Sequence, residues 1–420
     1  MPDTDRLRKQ RLLLICDYNR HDFVHLYKDC CPYFEIFFLE HTSRTSIYNH
    51  SYLKYGTAIF WKDYKDVDAL LDTIQPDKLT FQYLDSYNHI VLNLACKARK
   101  IPTFQVEHGL RADYVLGSDP AISPSPDSSY GKKFHELFNN VVSLKSRIQT
   151  RLFLLNSIKK LSPEDAAFAK LFIKIRRAYS FATTVRKINS AKRQAGAHIS
   201  FSPKVFEVHQ RNETLPPDLK VYFTGIPYFD HLATLKPASQ LSRAVLLIDQ
   251  PLAEHGLLQW DKAYKATFVD TITKIFKQHN YKLYIKPHPK QDLKVWQRAE
   301  QLQLCCLIDD KQLYDLTPEI PILLGFYSTY LMPFTSFKHT TVITLENHPA
   351  GRLDVSKSFV DAGVAHPIYD LEELHHILPN IEQLHQQQLP NKAKFTEEWM
   401  YKFDGKSGER LRDVLLRDEL

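Results

Sequence analysis

Short apolar runs alternate with amphipathic stretches along most of the chain. In the first half these runs predict strands at Leu12–Cys16, Tyr33–Leu39, Lys78–Tyr83 and Ile101–Val106, with a helix at His89–Arg99. Continuous apolar runs of this length are typical of strands that are buried on both faces of a sheet.

A second series of the same kind follows in the second half of the chain. It predicts strands at Ala244–Ile248, Tyr281–Ile285, Ile322–Leu324 and Thr341–Leu345, and helices at Lys262–His279 and from Leu293. Strands that alternate with helices indicate parallel sheets covered by helices on both faces. We therefore predict an α/β fold with two doubly wound, Rossmann-like domains that face each other across a cleft. The predicted parts are an N-terminal domain at 1–232, a C-terminal domain at 233–394, closing helices at 395–420 and a hinge near 225–242.

Composition places the chain among ordinary globular proteins. It has 420 residues, of which 44% are hydrophobic and 25% charged, as in average soluble domains. The N-terminus has no secretory signal pattern, and the longest apolar runs fall well short of the roughly 20 residues that span a bilayer. We therefore expect a cytoplasmic protein. The six cysteines form neither a zinc nor a disulfide pattern.

Glycine is scarce, with only 12 in the chain and no two closer than Gly405 and Gly408. This spacing excludes a G-x-G-x-x-G dinucleotide fingerprint and a P-loop. If the protein binds phosphates, other groups must do so.

The net charge of +7 is concentrated in one segment. Residues 141–193 contain 13 lysines and arginines against Glu164 and Asp165, a local balance of about +11. The apolar residues there recur at helical spacing, and Ser162-Pro163 is typical of a helix start. We predict a basic helical insertion at 141–195 that is suited to an anionic inner-membrane surface. A solvated basic face or a channel for a polyanionic acceptor are the alternatives, and no motif points to nucleic acid.

Polar residues directly after predicted strands are candidates for a ligand site, because open α/β sheets bind ligands at the carboxyl ends of their strands. Glu107-His108-Gly109 follows Ile101–Val106. A partly desolvated carboxylate there suits a general base, and the glycine allows close backbone approach. Capping of a following helix is the alternative role for Glu107. A second copy of this tripeptide, Glu254-His255-Gly256, shows that the tripeptide alone does not identify a general base.

Two further segments indicate phosphate chemistry. Lys286-Pro287-His288-Pro289-Lys290 holds a histidine between two prolines and two lysines, and such a group can donate to a leaving phosphate. Gly325-Phe326-Tyr327-Ser328-Thr329 precedes an apolar helical stretch predicted at Tyr330–Phe337, so its hydroxyls would lie at a helix N-terminus. Gln250 follows Ala244–Ile248 and is a further candidate for nucleotide binding. Neither Asp309-Asp310 nor the scattered histidines suggest a metal site.

Together these motifs resemble those of bacterial sialyltransferases, with the polysialyltransferase and lipooligosaccharide branches the most similar. The acid-x-Gly, His-Pro and paired-hydroxyl motifs occur in that order, about 180 and then 40 residues apart. The resemblance implies the GT-B architecture and transfer from a CMP-activated nonulosonic acid (sialic, pseudaminic or legionaminic acid, or Kdo) to a glycan of capsule or lipooligosaccharide. It also implies inversion at the anomeric carbon and no metal or other cofactor.

The resemblance assigns roles residue by residue. Glu107 would deprotonate the acceptor hydroxyl, and His288 would contact the leaving CMP phosphate and protonate it. Lys286 and Pro289 would lie near the nucleotide, and Ser328 and Thr329 would bind the phosphate. His108, Gly109 and Gly325 complete the predicted binding site.

Two positions depart from the sialyltransferase pattern. His108 stands where an acid is usual, and Asp315 is only a loose candidate for the glutamate that holds the ribose. A CDP-glycerol-type polyol-phosphate transferase, with His108 as the base, is therefore an alternative. A non-catalytic polyanion-binding or export protein, suggested by the basic segment, is another.

Overall fold

A computed structural model describes residues 9–110, 144–289 and 291–417. These residues form two compact units. Unit 1 contains residues 9–108, 144–228 and 406–417, and unit 2 contains 109–110, 229–289 and 291–405. One of the points at which the chain passes from unit 1 to unit 2 is between residues 228 and 229, within the segment proposed above as a hinge. Residues 406–417 group with unit 1, whereas 395–405 belong to unit 2.

Unit 1 is built on a seven-stranded parallel sheet of order β3-β2-β1-β4-β5-β6-β7. Its strands are β1 Gln10–Ile15, β2 Phe34–Phe38, β3 Thr57–Ala58, β4 Lys78–Phe81, β5 Thr103–Val106, β6 Ala197–Ser200 and β7 Val221–Phe223. Strand order reverses between β1 and β4, which is the switch point of a classical dinucleotide-type fold. The four strands predicted for this half are confirmed, whereas β3, β6 and β7 were not predicted.

Helices cover both faces of this sheet. They are α1 His21–His25, α2 Val67–Ile74, α3 Tyr87–Ala98, α4 Leu144–Lys160, α5 Pro163–Ala178, α6 Phe181–Lys187, α7 Pro203–Glu213 and, near the C-terminus, Ser407–Leu416. Short 3-10 turns occur at Lys28–Cys30, Arg44–Ser46, Ser51–Lys54, Trp61–Asp63 and Ala191–Arg193. The predicted helix start at Ser162 is confirmed, since its hydroxyl accepts from the amide of Asp165.

Only some of the apolar residues of the basic segment are buried in the core of unit 1. Phe153, Ile158 and Phe172 from α4 and α5 pack with buried residues of α2 and α3. Ile148, Leu152 and Leu155 on α4 remain exposed. Among the described residues, no helix has the combination of length and apolarity that crossing a membrane requires.

Unit 2 repeats the same topology. Its six-stranded parallel sheet has the order β10-β9-β8-β11-β12-β15, and β13 and β14 form a separate hairpin. The strands are β8 Ala244–Ile248, β9 Lys282–Lys286, β10 Cys306–Leu307, β11 Ile322–Gly325, β12 Thr341–Leu345, β13 Asn347–His348, β14 Gly351–Arg352 and β15 His366–Ile368. Here the order reverses between β8 and β11. The four strands predicted for this half are confirmed.

Many short helices surround this second sheet. They are α8 Asp230–Ala233, α9 Leu252–His255, α10 Lys262–Gln278, α11 Lys294–Gln301, α12 Asp310–Leu316, α13 Met332–Ser336, α14 Lys357–Asp361, α15 Leu374–Ile377, α16 Ile381–Gln388 and α17 Lys392–Phe395; Ser407–Leu416 of unit 1 is then α18. A π-helical turn spans Thr396–Met400. The 3-10 turns are Pro227–Phe229 at the junction, Leu257–Gln259, Thr317–Glu319, Thr329–Leu331, Leu371–Glu373, Leu378–Asn380 and Leu389–Asn391.

Candidate active site

The switch point of unit 2 brings two of the predicted motifs to one edge of its sheet. In the register of the strands, Lys286 of β9 and Gly325 of β11 lie on either side of Ile248 in β8. Two strand spacings separate the backbones of Lys286 and Gly325 by about 10 Å. Parallel strands end on the same side, so His288 and the Ser328-Thr329 pair follow at the same edge.

His288 lies in a tight turn after β9. Its amide donates to Oε1 of Gln291 at 2.8 Å, and its carbonyl accepts from the Gln291 amide at 3.0 Å. The side chain is half-buried, and the neighbouring Pro289 is exposed. Lys290 lies outside the described residues.

Lys286 places a positive charge at this edge, paired with Asp310. Its Nζ lies 2.9 Å from Oδ1 of Asp310, and its side chain is only 12% exposed whereas that of Asp310 is 60% exposed. The carboxylate is thus the more exposed partner of the pair. An anionic ligand can replace or join Asp310 beside the held ammonium group.

The segment after β11 requires its glycine. A Cβ at Gly325 would lie 3.1 Å from Cδ1 of Leu331 and 3.2 Å from the carbonyl oxygen of Ile248, so a larger residue would press on the neighbouring strand. Ser328 caps the next turn, with its hydroxyl accepting from the Tyr330 amide at 3.3 Å.

The structure corrects the helix predicted at Tyr330–Phe337. A three-residue 3-10 turn, Thr329–Leu331, comes first, and α13 then spans only Met332–Ser336 with Pro333 in its first turn. Proline cannot donate an amide hydrogen bond, so a continuous helix starting at Thr329 would lack one of its bonds. A long helix dipole is therefore not available to bind phosphate, and the hydroxyls of Ser328 and Thr329 remain as candidate groups.

Gly109 of the first motif lies beside Thr329 of the third. The Leu110 amide donates to Oγ1 of Thr329 at 3.0 Å, and a Cβ at Gly109 would lie 3.2 Å from the same oxygen. All three residues belong to unit 2. The neighbour of Gly109 is thus a threonine hydroxyl, and the close approach of this glycine to a ligand stays a prediction.

Glu107 directly follows β5 in unit 1, as predicted from the sequence, and its side chain is buried. Oε2 lies 2.7 Å from Nδ1 of His209, and Oε1 accepts from the His108 amide at 3.2 Å. The other ring nitrogen of His209, Nε2, lies 2.9 Å from Oε1 of Glu213. Both ring nitrogens of His209 thus lie within hydrogen-bonding distance of a buried carboxylate.

His108 is less enclosed than its neighbour. Its side chain is 17% exposed, and Nδ1 lies 3.9 Å from Oε1 of Glu107. The ring packs at 4.3 Å from Tyr83 and 5.6 Å from Phe23, measured between ring centroids. Tyr83 follows β4, so His108 lies at the carboxyl edge of the unit 1 sheet.

Gln250 and Asp315 differ in their positions. Gln250 follows β8 at the switch point, and its carbonyl accepts from Nε2 of Gln291 at 3.0 Å. Asp315 is exposed near the end of α12, and it is Asp310, at the start of that helix, that pairs with Lys286.

Within the described parts of the chain, no group of three or more histidine, cysteine or acidic side chains is arranged to hold a metal ion.

Several residues around these motifs were missed from the sequence. His209 and Glu213 lie one turn apart on α7, and Asp249 and Gln291 hold the His288 turn. Such supporting residues come from other elements and form no local motif, so only the spacing of His209 and Glu213 on one helix face offered a signal.

Comparison with known proteins assigns the chain to a family. Residues 3–347 match the family described as alpha-2,8-polysialyltransferase. The chain belongs to the polysialyltransferase family. It is therefore a glycosyltransferase, as the resemblance in the motifs implied. No curated protein sequence matches it.

Solved structures agree on the fold of this polysialyltransferase-family chain. The wall teichoic acid polymerase TagF matches with a TM-score of 0.53 and 11% identity, over 97% of this chain and 88% of the other. The calicheamicin glycosyltransferase CalG4 matches with a TM-score of 0.53 and 11% identity, over 97% and 98%. At such low identity the likeness shows the fold alone, and that fold is GT-B. The predicted architecture of two Rossmann-like domains is thus confirmed.

Proposed function

We propose that this chain transfers a nonulosonic acid from a CMP-activated donor to a glycan acceptor in the synthesis of capsule or lipooligosaccharide. The observation that carries the proposal is the alignment of β9, β8 and β11, which sets Lys286, His288 and the Ser328-Thr329 pair at one switch point. Cationic and hydroxyl groups gathered at such an edge suit the phosphate of a nucleotide sugar.

In the proposed reaction, the acceptor oxygen bonds to the anomeric carbon as the bond from that carbon to the CMP phosphate oxygen breaks. Glu107 takes the proton of the acceptor hydroxyl, and His288 donates to the phosphate oxygen that leaves. Lys286 balances the charge that develops on the phosphate, and Ser328 and Thr329 hold its oxygens. A single displacement inverts the anomeric configuration. No step calls for a metal or another cofactor.

A thermal-shift series with CMP, CDP, UDP and GDP tests the donor class, because a ligand that binds only the folded state raises the melting temperature. We expect the largest shift with CMP. Release of CMP from CMP-sialic, CMP-pseudaminic and CMP-legionaminic acids, each with and without acceptor glycan, then identifies the sugar. A selective shift with UDP and no release of CMP would overturn the proposal.

A specific observation favours a second candidate, a CDP-glycerol-type polyol-phosphate transferase. The carboxylate of Glu107 is buried against His209, whereas the ring of His108 is partly exposed. In that reaction His108 would be the base and Glu107 would orient its ring. Transfer of glycerol phosphate from CDP-glycerol, with no turnover of CMP-sugars, would support this candidate over the first.

We also propose that α4 binds the inner face of the membrane. Ile148, Leu152 and Leu155 form one exposed stripe at helical spacing, with exposed fractions of 48%, 51% and 57%. The exposed side chains of Lys145, Arg151 and Lys159 surround the stripe. An apolar stripe with a basic border suits the surface of an anionic bilayer.

A further inference from the structure

The turn that carries His288 is held by one amide side chain. Gln291 accepts from the His288 amide through Oε1, at 2.8 Å. Its Nε2 donates to Oδ2 of Asp249 and, at 3.0 Å, to the carbonyl of Gln250. The Gln291 side chain thus joins the His288 turn to the end of β8.

These partners fix the orientation of the Gln291 amide. Both groups on one side, a carboxylate and a carbonyl, can only accept, and the backbone amide on the other side can only donate. A reversed amide would therefore lose all three hydrogen bonds. A glutamine side chain can make all three bonds, whereas alanine can make none of them and an ionised glutamate cannot donate to Asp249 or Gln250.

Asp249 is in turn anchored in the core of unit 2. It is buried, and its carboxylate accepts from the Trp296 indole at 2.6 Å and from the Gln250 amide at 2.8 Å. Burial raises the pKa of this carboxyl. Trp296 is fully buried on α11, so the anchor is attached to rigid structure.

A second contact holds the far end of the turn. Oε1 of Glu254 accepts from the Asp292 amide at 3.0 Å and from Nζ of the buried Lys265 at 2.6 Å. Lys265 also donates to the Asp292 carbonyl at 3.1 Å. Glu254, the acid of the second Glu-His-Gly copy, therefore helps to hold the His288 turn in unit 2.

We propose that Gln291, held by Asp249, is a positioning residue that sets the place of His288 relative to the nucleotide phosphate. This inference rests on the proposed role of His288 in the reaction. A displacement of about 1 Å at a reacting group can cost a factor of about 100 in rate. Gln291 acts through His288 and needs no contact with the substrate.

Three variants test the inference: Gln291→Ala, Gln291→Glu and, as a matched control, Gln297→Ala, which truncates an exposed glutamine on α11. For Gln291→Ala we expect kcat to fall by about 10- to 100-fold while the donor KM changes by less than about threefold. Gln297→Ala should behave as the wild type does.

Gln291→Glu should give a distinctive pH dependence. A protonated carboxyl at position 291 can donate to Asp249 and accept from the His288 amide, whereas an ionised one would face the Asp249 carboxylate. Its activity relative to wild type should therefore fall as the pH rises. The titratable or charged groups around this position are Asp249, Glu254, Lys265, Lys286, His288, Asp292 and Asp310. A purely structural defect would lower activity equally at every pH.

Hydrogen–deuterium exchange separates this inference from the proposed function, because it needs no substrate. Faster exchange in the 286–292 peptide of Gln291→Ala, with the peptide of β8 unchanged, would support the positioning role. Unchanged exchange, or faster exchange with wild-type kcat, would overturn it. A wild-type protein that neither binds CMP nor releases it from CMP-sugars would instead refute the proposed function, and the exchange result would still decide whether Gln291 holds the turn.

Discussion

His209 and Glu107 are 102 positions apart in the chain, yet Nδ1 of the first lies 2.7 Å from Oε2 of the second. The contact ties the end of β5 to the middle of α7. Glu213 then extends it, through the other ring nitrogen, to Arg193, whose NH1 lies 3.9 Å from the Glu213 carboxylate. The carboxylate that we propose as the base is thus held in a buried series of polar side chains.

Substitution of the first motif separates the two candidate bases. If Glu107 takes the acceptor proton, Glu107→Gln should lower kcat by about 10²- to 10⁴-fold and His108→Ala should lower it much less. Single-turnover rates with saturating donor measure the chemical step directly. A larger loss in His108→Ala than in Glu107→Gln would assign the base to His108.

Removal of the charge at the end of β9 should weaken nucleotide binding. Lys286→Met keeps the apolar stem but loses a hydrogen bond to a charged phosphate, which is worth about 1.5–3 kcal/mol. We expect the Kd for CMP to rise by at least about tenfold, as measured by calorimetry. Lys294→Met removes an exposed lysine from α11 and should leave the affinity unchanged. Equal affinities for the two variants would contradict the placement of the phosphate.

His348 should make the stability of unit 2 depend on pH. Burial lowers the pKa of its imidazole from 6.5 to about 4, and Nδ1 accepts from the Trp260 indole at 3.2 Å. Between these two pKa values the unfolded chain binds a proton that the folded chain does not. The neutral ring therefore makes its full contribution to the free energy of unfolding above pH 6.5. That contribution, up to about 3 kcal/mol, is lost as the pH falls to about 4.

Asparagine at this position can still accept from Trp260 but does not titrate. The urea midpoint of His348→Asn should therefore fall less steeply than that of the wild type between about pH 6.5 and pH 4.5. Parallel curves for the two proteins would show that His348 does not cause the acid sensitivity.

Two glycines with positive φ allow the cost of a side-chain clash to be separated from the cost of backbone strain. Gly225 has φ of +79°, and a Cβ there would lie only 2.4 Å from Oγ of Ser407 on α18, whereas Gly351 has φ of +112° with no atom within 4 Å. Both alanine variants carry backbone strain, but only Gly225→Ala adds a clash. We expect it to cost at least about 1 kcal/mol more in unfolding free energy. Similar thermal midpoints for the two variants would exclude close packing of α18 at Gly225.

The exposed stripe on α4 predicts membrane binding that depends on both charge and apolar area. Leu152→Gln and Leu155→Gln should each weaken binding to anionic vesicles by about fivefold, since each removes roughly 1 kcal/mol of apolar contact. Leu302→Gln, which changes an exposed leucine of unit 2, is the control. Vesicle co-sedimentation measures the effect. Equal binding by all the variants, or none by the wild type, would refute the role of α4.

The strands that sequence patterns predicted are the central ones of both sheets. Ala244–Ile248 and Thr341–Leu345 match the observed bounds, because both faces of these strands are buried and their apolar runs are continuous. β6 was missed because its sequence, Ala-His-Ile-Ser, places two polar residues in a strand that is nevertheless buried. β7 was missed because a three-residue strand at the sheet edge gives too short a pattern.

The parts of the candidate site that could be predicted are the polar side chains that directly follow strands. His288 and Ser328-Thr329 follow strands directly, so the rule on carboxyl ends located them. Gln291 was not predictable, because its importance comes from Asp249, which is 42 residues earlier. The order of strands in the sheet, which no local pattern reveals, brings these two side chains together.

The ammonium group of Lys78, at the start of β4, donates to the backbone carbonyls of Leu415 and Arg417 at the end of α18. A ribosome making this protein must therefore add more than 330 further residues before those two acceptors exist. All the strands of unit 2 precede residue 407 in the chain, so unit 2 can fold before α18 is available to unit 1. Unit 1 thus contains both the first strands to be synthesised and the last helix. A nascent chain stalled before residue 407 would have the strands of unit 1 but not α18.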